Sequence, residues 1–155
     1  DQAGIPCFSS SALRFAAELQ GFAPREEITQ IESRGTGEVA LYAVHQLENI
    51  VSLFRCGALR VRMTAKGKYQ IDFEKGTATL DFSAEDFSLD IYAGKNIFRF
   101  PQLSGYFEIL SGIVAEFFRT QKPPVDRKET IRIAAITQAM LSCKKIGDTV
   151  NVEKN

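Results

Sequence analysis

The sequence predicts a two-layer α+β domain, with helices packed on one face of a predominantly antiparallel open sheet. Four successive segments, at 59–63, 69–73, 78–82 and 87–91, alternate apolar and polar residues with a period of two. Such alternation is typical of antiparallel strands that bury one face. Apolar residues recur at helical spacing in three further segments, and a sheet that is apolar on one face has to be covered by another layer.

The composition is that of a single soluble globular domain. The chain has 155 residues, of which 45% are hydrophobic and 25% are charged, which is enough to bury a core. Lys plus Arg equals Asp plus Glu at 19 each, so we expect neither nucleic acid nor a membrane surface as a partner. No apolar run approaches the roughly 18 residues that a membrane span requires.

Three cysteines stand far apart without CxxC spacing, and the chain contains a single histidine. This pattern predicts reduced thiols in a cytoplasmic protein, with neither a disulfide framework nor a metal site. The three cysteines are Cys7, Cys56 and Cys143.

The first part of the chain predicts a short strand at 6–9 and then a short helix at 10–20. Ser10 or Ser11 is the expected N-cap of this helix and Gly21 its stop. The segment at 25–34 is compatible with a strand, although a polar and poorly buried one. A chain that starts here starts in the middle of a supersecondary unit, so we expect a fragment of a longer protein.

The segment at 37–57 predicts a long amphipathic helix that ends at Gly57. The four alternating segments after it predict an antiparallel meander. The second and third strands join through a two-residue turn that sets Phe73 opposite Ala78. The third and fourth join through a four-residue loop that sets Leu80 opposite Leu89. All apolar residues then share one face, and the outer face is polar, formed by Arg60, Arg62, Gln70, Asp72, Thr79, Asp81, Ser88 and Asp90.

Two amphipathic helices close the chain and are the expected cover of the sheet. The first helix is broken by the KPP sequence at 122–124. The second has Asp126 as its natural N-cap and Glu129 three residues later, which is a capping-box arrangement. Gly147 is its expected end.

A glycine-rich segment, Gly35-x-Gly37-x-x-Ala40, matches the outline of a dinucleotide-binding turn. We reject that interpretation for two reasons. The strand before it is too polar for the centre of a parallel sheet. The strand after the helix also ends without the acidic residue that would bind a ribose.

Two side chains stand out as candidates for chemistry, and each has a structural alternative. His45 lies at the margin of the apolar stripe of its helix, where it serves either as a boundary residue bonded to Glu48 or as a proton carrier near neutral pH. Arg14 follows a Ser-rich turn and is either a surface cation or a clamp for an anion or hydroxyl group. Spacing alone leaves both alternatives open.

Three segments together resemble the C-terminal domain of the glucose–fructose oxidoreductase and inositol dehydrogenase family (Gfo/Idh/MocA), and the resemblance covers nearly the whole chain. GIPCFSSSALRF resembles the last nucleotide-domain strand running into the domain-linking helix, and GEVALYAVHQLENIVSLF resembles the helix that carries a histidine. The segment from YFEILSG to GDTVNV is similar to the family's ending. In that ending, TGKPP and EET stand between two helices, and SK follows the second helix, before a G and a V.

The resemblance implies a site on the histidine helix. His45 falls where the family's proton-transferring histidine sits, within the pattern Gly-x3-Asp-x3-His. Gly37 and His45 match that pattern, but Leu41 replaces the aspartate. Tyr42 or Glu48 is therefore the expected substitute partner of the imidazole.

The resemblance also implies what lies outside this chain. Residues 1–155 would be a substrate-binding and oligomerisation domain, with residues 1–10 as the tail of a missing N-terminal Rossmann domain. We expect no cofactor on this chain and NAD or NADP on the full-length protein. The family's lysine, in a KP turn of the first domain, is absent, so hydride transfer is not expected of this chain alone.

The expected function is accordingly the substrate side of an NAD(P)-dependent oxidoreductase for a sugar or polyol. His45 is its acid–base candidate, and Arg14, Tyr42 and Glu48 are its substrate-binding candidates. Self-association through the sheet face would make the protein a homo-oligomer. The alternative is a free-standing, non-catalytic binding or self-association module.

Overall fold

Within the part of the chain that the structure describes, the fold combines one seven-stranded sheet with three α-helices and two 3-10 turns. It is known from a computed structural model that describes residues 4–153. In chain order, the 3-10 turns Ala12–Phe15 and Ala17–Leu19 precede β1 (Ile28–Arg34), α1 (Val39–Phe54), β2 (Ala58–Ala65), β3 (Lys68–Phe73), β4 (Gly76–Asp81), β5 (Ser88–Ala93), β6 (Asn96–Phe100), α2 (Tyr106–Thr120), α3 (Arg127–Ser142) and β7 (Thr149–Asn151).

The sheet is open and mostly antiparallel, with the strand order β6-β5-β1-β4-β3-β2-β7. Only the β1–β4 pair among the described strands is parallel. The predicted α+β class and predominantly antiparallel open sheet are therefore confirmed. β6 and β7, at the two edges, were not predicted by the alternation pattern.

The predicted meander is interrupted by β1, which lies between β4 and β5. Ser33 of β1 lies opposite Leu80 on one side and opposite Leu89 on the other, so the predicted pairing of Leu80 with Leu89 is wrong. The expectation that β1 would be poorly buried is also wrong, because Ile31 and Ser33 are buried on the inner face. The polar residues of β1 alternate onto the outer face instead, which explains its polar composition.

The β3–β4 hairpin forms as predicted, but its register differs by two residues. Phe73 pairs with Gly76 and Ile71 pairs with Ala78, because the two-residue turn starts at Glu74 and not at Lys75. A shift of two residues keeps each side chain on the same face of the sheet. The predicted inner and outer faces are therefore correct although the predicted register is wrong.

The outer face of the sheet is polar, as predicted. Arg60 lies opposite Asp72 and hydrogen-bonds to it, and Arg62 lies opposite Gln70. β1 adds Glu32 and Arg34 to this face, and no helix of residues 4–153 covers it.

The inner face is covered by α1 and α3, which also pack on each other. Four side chains of α3, including Ile136 and Met140, belong to the core. α2, in contrast, has no buried residue and packs on the first 3-10 turn and not on the sheet. The prediction that both C-terminal helices cover the sheet is therefore wrong for α2. No helix within residues 4–153 has the length and apolar character of a bilayer span.

Several element ends differ from the predicted ones. Residues 6–9 form no strand, and the predicted helix at 10–20 is two 3-10 turns, with Ser11 as the N-cap of the first. α1 ends at Phe54 because Arg55 takes the left-handed conformation, well before Gly57. α3 starts after the predicted cap Asp126 but ends at Ser142, before Gly147. Of the domain tail expected at 1–10, residues 1–3 lie outside the described residues.

Candidate functional site

The imidazole of His45 is half-buried on the second turn of α1, where three side chains surround it. Its Nδ1 atom lies 2.6 Å from the hydroxyl oxygen of Ser11. The rings of Tyr42 and Phe87 meet it edge to face at centroid distances of 5.4 and 5.8 Å. The Ser11 hydrogen bond holds the ring plane, and the two aromatic rings limit its rotation.

Ser11 is itself held in place by the backbone. It caps the first 3-10 turn in an extended conformation, and its Oγ accepts a hydrogen bond of 3.2 Å from the Leu13 N–H. A serine hydroxyl has one proton and two acceptor positions, so Oγ can either donate to Nδ1 of His45 or accept from an Nδ1–H. In the second case Nε2 carries a lone pair and can act as a base.

Burial lowers the pKa of the His45 imidazole below its ordinary value. The imidazole is therefore neutral at neutral pH. A neutral imidazole can accept a proton, whereas an imidazolium can only donate one.

Arg14 lies between two carboxylates beside this histidine. Its guanidinium donates to Oε2 of Glu48 at 2.9 Å and forms a second ion pair with Glu129 of α3. The side chain of Arg14 is 13% exposed and that of Glu48 only 2%. The Glu129 carboxylate binds Arg14 and is not part of the predicted capping box. Of that box only the Asp126 cap forms, and its carboxylate accepts from the Lys128 N–H.

The Glu48 carboxyl is stabilised in its charged form by neighbours that only partly offset its burial. Burial raises its pKa, while Arg14 and the Ser11 N–H, which donates to Oε1 at 3.2 Å, act in the opposite direction. A buried carboxylate without such partners costs several kcal/mol. This network therefore fixes the N-terminal segment against α1.

Ser11 joins the two halves of the site. Its backbone N–H binds Glu48 and its hydroxyl binds His45. The sequence predicts Glu48 or Tyr42 as the partner of His45, but the hydrogen bond is made by Ser11, while Tyr42 contributes a ring contact. The only sequence signal for Ser11 is its place in the Ser-rich turn, 34 residues before His45.

The glycine-rich turn before α1 is filled by this chain's own aromatic rings. A Cβ atom at Gly37 would overlap the ring of Tyr42, and one at Gly35 would overlap the ring of Phe87. In a dinucleotide-binding turn the glycines make room for a pyrophosphate. The residues at this turn therefore do not fit a dinucleotide. Within residues 4–153, no three His, Cys, Asp or Glu side chains gather as a metal ion would require.

The fold of this chain also occurs in solved structures of dehydrogenases. No family model matches the sequence, and no curated protein matches it significantly. Solved structures do match. Apo scyllo-inositol dehydrogenase from Lactobacillus casei superimposes with a TM-score of 0.69 at 13% identity, over 91% of this chain and 60% of that chain.

Two further dehydrogenase structures support the same assignment of fold. Myo-inositol 2-dehydrogenase from Lactobacillus plantarum has a TM-score of 0.66 at 13% identity, over 93% of this chain and 62% of that chain. The dehydrogenase MviM from Clostridium difficile has a TM-score of 0.52 at 12% identity, over 84% of this chain and 59% of that chain. The resemblance is thus confirmed at the level of the fold, and the chain spans about three fifths of the length of each structure.

Proposed function

We propose that this chain is the substrate-side domain of an NAD(P)-dependent oxidoreductase that acts on a sugar or polyol. The observation that carries the proposal is the match of nearly the whole chain to two inositol dehydrogenases. The remaining two fifths of those structures would correspond to a nucleotide-binding domain that precedes this chain. NAD or NADP would bind there, since the glycine-rich turn of this chain does not fit a dinucleotide.

His45 is the proposed acid–base residue. The oxidation of an alcohol requires a base that removes the hydroxyl proton, and the reverse reaction requires an acid that returns it. A neutral imidazole whose Nδ1–H donates to Ser11 leaves Nε2 to take that proton. The Ser11 hydroxyl would then hold the tautomer and ring orientation, a task that an aspartate or glutamate performs at many catalytic histidines.

The other candidate residues have two proposed roles: one contacts the substrate, and two hold Ser11 in position. Tyr42 is 36% exposed beside His45 and is the proposed substrate contact. Arg14 and Glu48 were expected to contact substrate too, but they bind each other. Their proposed role is to hold Ser11 in position through the Glu48 carboxylate.

The outer face of the sheet is the proposed surface for self-association. Its ion pairs, such as Arg34 with Asp90 and Lys68 with Asp81, already form within one chain. A second copy would therefore meet a polar surface whose charges are largely paired, and the affinity would depend on complementary shape and on hydrogen bonds.

The decisive experiment begins with the coding sequence upstream of this chain. An upstream nucleotide-binding domain that ends in a KP turn supports the proposal, and a free-standing reading frame supports the non-catalytic module. The full-length protein is then assayed for nicotinamide reduction with a panel of inositols, aldoses and alditols. If it binds NAD(P) but oxidises none of them, the sugar or polyol assignment is wrong.

A further inference from the structure

A cavity of about 740 Å³ opens between the start of α1, the β2–β3 hairpin and the segment that joins α3 to β7. This volume is within the range of small-molecule sites. Its wall includes the apolar side chains of Met63, Phe82 and Ile146. None of the four candidate residues of the site described above lines it, although Gly37, which does, lies against the ring of Tyr42.

The charged residues of the cavity are mostly cations. Lys66, Lys144 and Lys145 line it, against the single carboxylate of Glu38. The ammonium groups of Lys66 and Lys145 make no hydrogen bond or ion pair within residues 4–153, whereas that of Lys144 donates to the Leu141 carbonyl at 2.8 Å. The three lysines and one glutamate that line the cavity carry a net charge of +2, and Asp148 beside the cavity offsets part of it through its interaction with Lys145.

The first residues of α1 form part of the same wall. Gly37, Glu38 and Val39 line the cavity, and α1 is a 16-residue helix whose N-cap Glu38 makes no side-chain capping hydrogen bond. The first N–H groups of a helix have no partner within the helix and carry partial positive charge. This end of α1 adds to the positive potential that the lysines create.

The Tyr69 hydroxyl is an independent sign of a ligand. Tyr69 lines the cavity and is 5% exposed, and its hydroxyl has no hydrogen-bond partner within residues 4–153. The Cys143 thiol lies near enough to interact electrostatically with this hydroxyl, but it makes no hydrogen bond with it. A nearly buried phenol without an acceptor is costly, and an acceptor in the cavity would remove that cost.

We infer that this cavity binds a small organic anion that joins an apolar body to a carboxylate, sulfonate or phosphate group. The apolar wall would cover the body, the lysines and the start of α1 would face the charged group, and Tyr69 would donate to one of its oxygens. A metal cation is disfavoured by the net positive charge. Nucleic acid is disfavoured because the chain as a whole is not basic, with 19 cationic and 19 anionic side chains.

The test uses 8-anilinonaphthalene-1-sulfonate, a fluorescent probe with an aromatic body and one sulfonate group. We expect one probe to bind per chain, with amide chemical shifts that change at Gly67, Ser83 and residues 144–146. N-phenyl-1-naphthylamine, which lacks the sulfonate, is the matched uncharged probe and should bind more weakly.

Two variants test the proposed contacts. Tyr69→Phe removes the hydroxyl alone and should weaken the probe about three- to tenfold. The double variant Lys66→Gln, Lys145→Gln should weaken it by a similar factor, about three- to tenfold. Lys95→Gln, in the β5–β6 turn, removes a lysine outside the cavity and should leave the affinity unchanged.

The alternative location is the exposed apolar surface of α2, where Phe107 and Phe118 are 66% and 70% exposed. The double variant Phe107→Ser, Phe118→Ser should retain probe binding. If that variant abolishes binding while the Tyr69 and lysine variants bind normally, the inference is wrong. Equal affinity for the charged and uncharged probes would overturn it as well. Because these measurements need no turnover, they are independent of the proposed oxidoreductase function.

Discussion

The Oγ atom of Ser11 and the Nδ1 atom of His45 lie 2.6 Å apart, although 34 residues separate them in the sequence. The contact joins the segment that precedes the sheet to the second turn of α1. It is reinforced by the Ser11 N–H, which binds Glu48 one turn further along the same helix. The single histidine of the chain is therefore oriented by a residue of a different segment.

Replacing His45 with alanine in the full-length protein should lower kcat by at least 10²-fold, because a positioned acid–base group contributes about 10²–10⁴-fold to the rate. Cofactor binding should be unchanged. Ser11→Ala should lower kcat by a smaller factor, since the imidazole remains but its orientation is lost. Turnover and melting temperature are measured together, because a purely structural histidine would lower the melting temperature and spare turnover.

The pH dependence of stability should carry the signature of a histidine whose folded-state pKa is lowered by burial. As pH falls through about 6.5, the unfolded chain binds a proton that the folded chain binds only at lower pH. The free energy of unfolding should therefore decrease with falling pH, by at most about 1.4 kcal/mol per pH unit from this group. Above pH 6.5 its contribution should be constant.

The matched control for this pH dependence is His45→Gln, which is neutral at every pH. Both proteins are unfolded in urea from pH 7.5 to pH 5. The free energy of unfolding of the wild type minus that of the variant should decrease as pH falls. A difference that stays constant would mean that the imidazole titrates equally in both states. NMR titration of the one imidazole in the chain gives the folded-state pKa directly.

The alternation of side chains predicted which residues of the strands face the core, but it did not predict which strands are neighbours. Ile71 and Leu80 are buried as expected, although their pairing differs, because a period of two is unchanged by a shift of two residues. The place of β1 between β4 and β5 depends on hydrogen bonds between distant segments, which the pattern of one strand does not contain.

Local capping signals also predicted Asp126 and limited the first cap to Ser10 or Ser11; the side chains of Ser11 and Asp126 accept from backbone N–H groups two residues later. The environment of α2 was not predictable in this way. An amphipathic helix indicates that an apolar partner exists, but not which one, and α1 and α3 already cover the sheet. The hydrogen bond of Ser11 to His45 was not predicted for the same reason, because the local sequence around either residue does not identify its distant partner.

Neither NADH nor NADPH should bind the isolated chain with micromolar affinity, because Tyr42 and Phe87 fill the space beside the glycines of the only dinucleotide-like turn found in the sequence. Isothermal titration calorimetry measures this directly. The Lys66→Gln, Lys145→Gln variant is titrated in parallel, which removes any contribution of anion binding in the lysine-lined cavity. Micromolar binding that persists in this variant would contradict the placement of the nucleotide site outside this chain.

Replacing Arg14 with methionine should destabilise the fold by about 3 kcal/mol, because it leaves the carboxylate of Glu48 buried without its counter-ion. The Arg60→Met variant is the matched control: Arg60 also pairs with a carboxylate, that of Asp72, but it is 56% exposed. An exposed ion pair of this kind contributes about 1 kcal/mol or less. The free energies of unfolding of both variants are to be measured by urea unfolding at pH 7.

The double variant Arg14→Met, Glu48→Gln separates the loss of the ion pair from the cost of an unpaired charge. Because most of the cost in Arg14→Met comes from the isolated carboxylate, removing its charge should recover a large part of the lost stability. The Arg14→Met variant should also become more stable relative to the wild type as pH falls, since a Glu48 carboxyl whose pKa is already raised by burial would then take up a proton more readily. If Arg14→Met costs no more than Arg60→Met, the Arg14 network does not fix the N-terminal segment against α1, and the proposed support of Ser11 and His45 is lost with it.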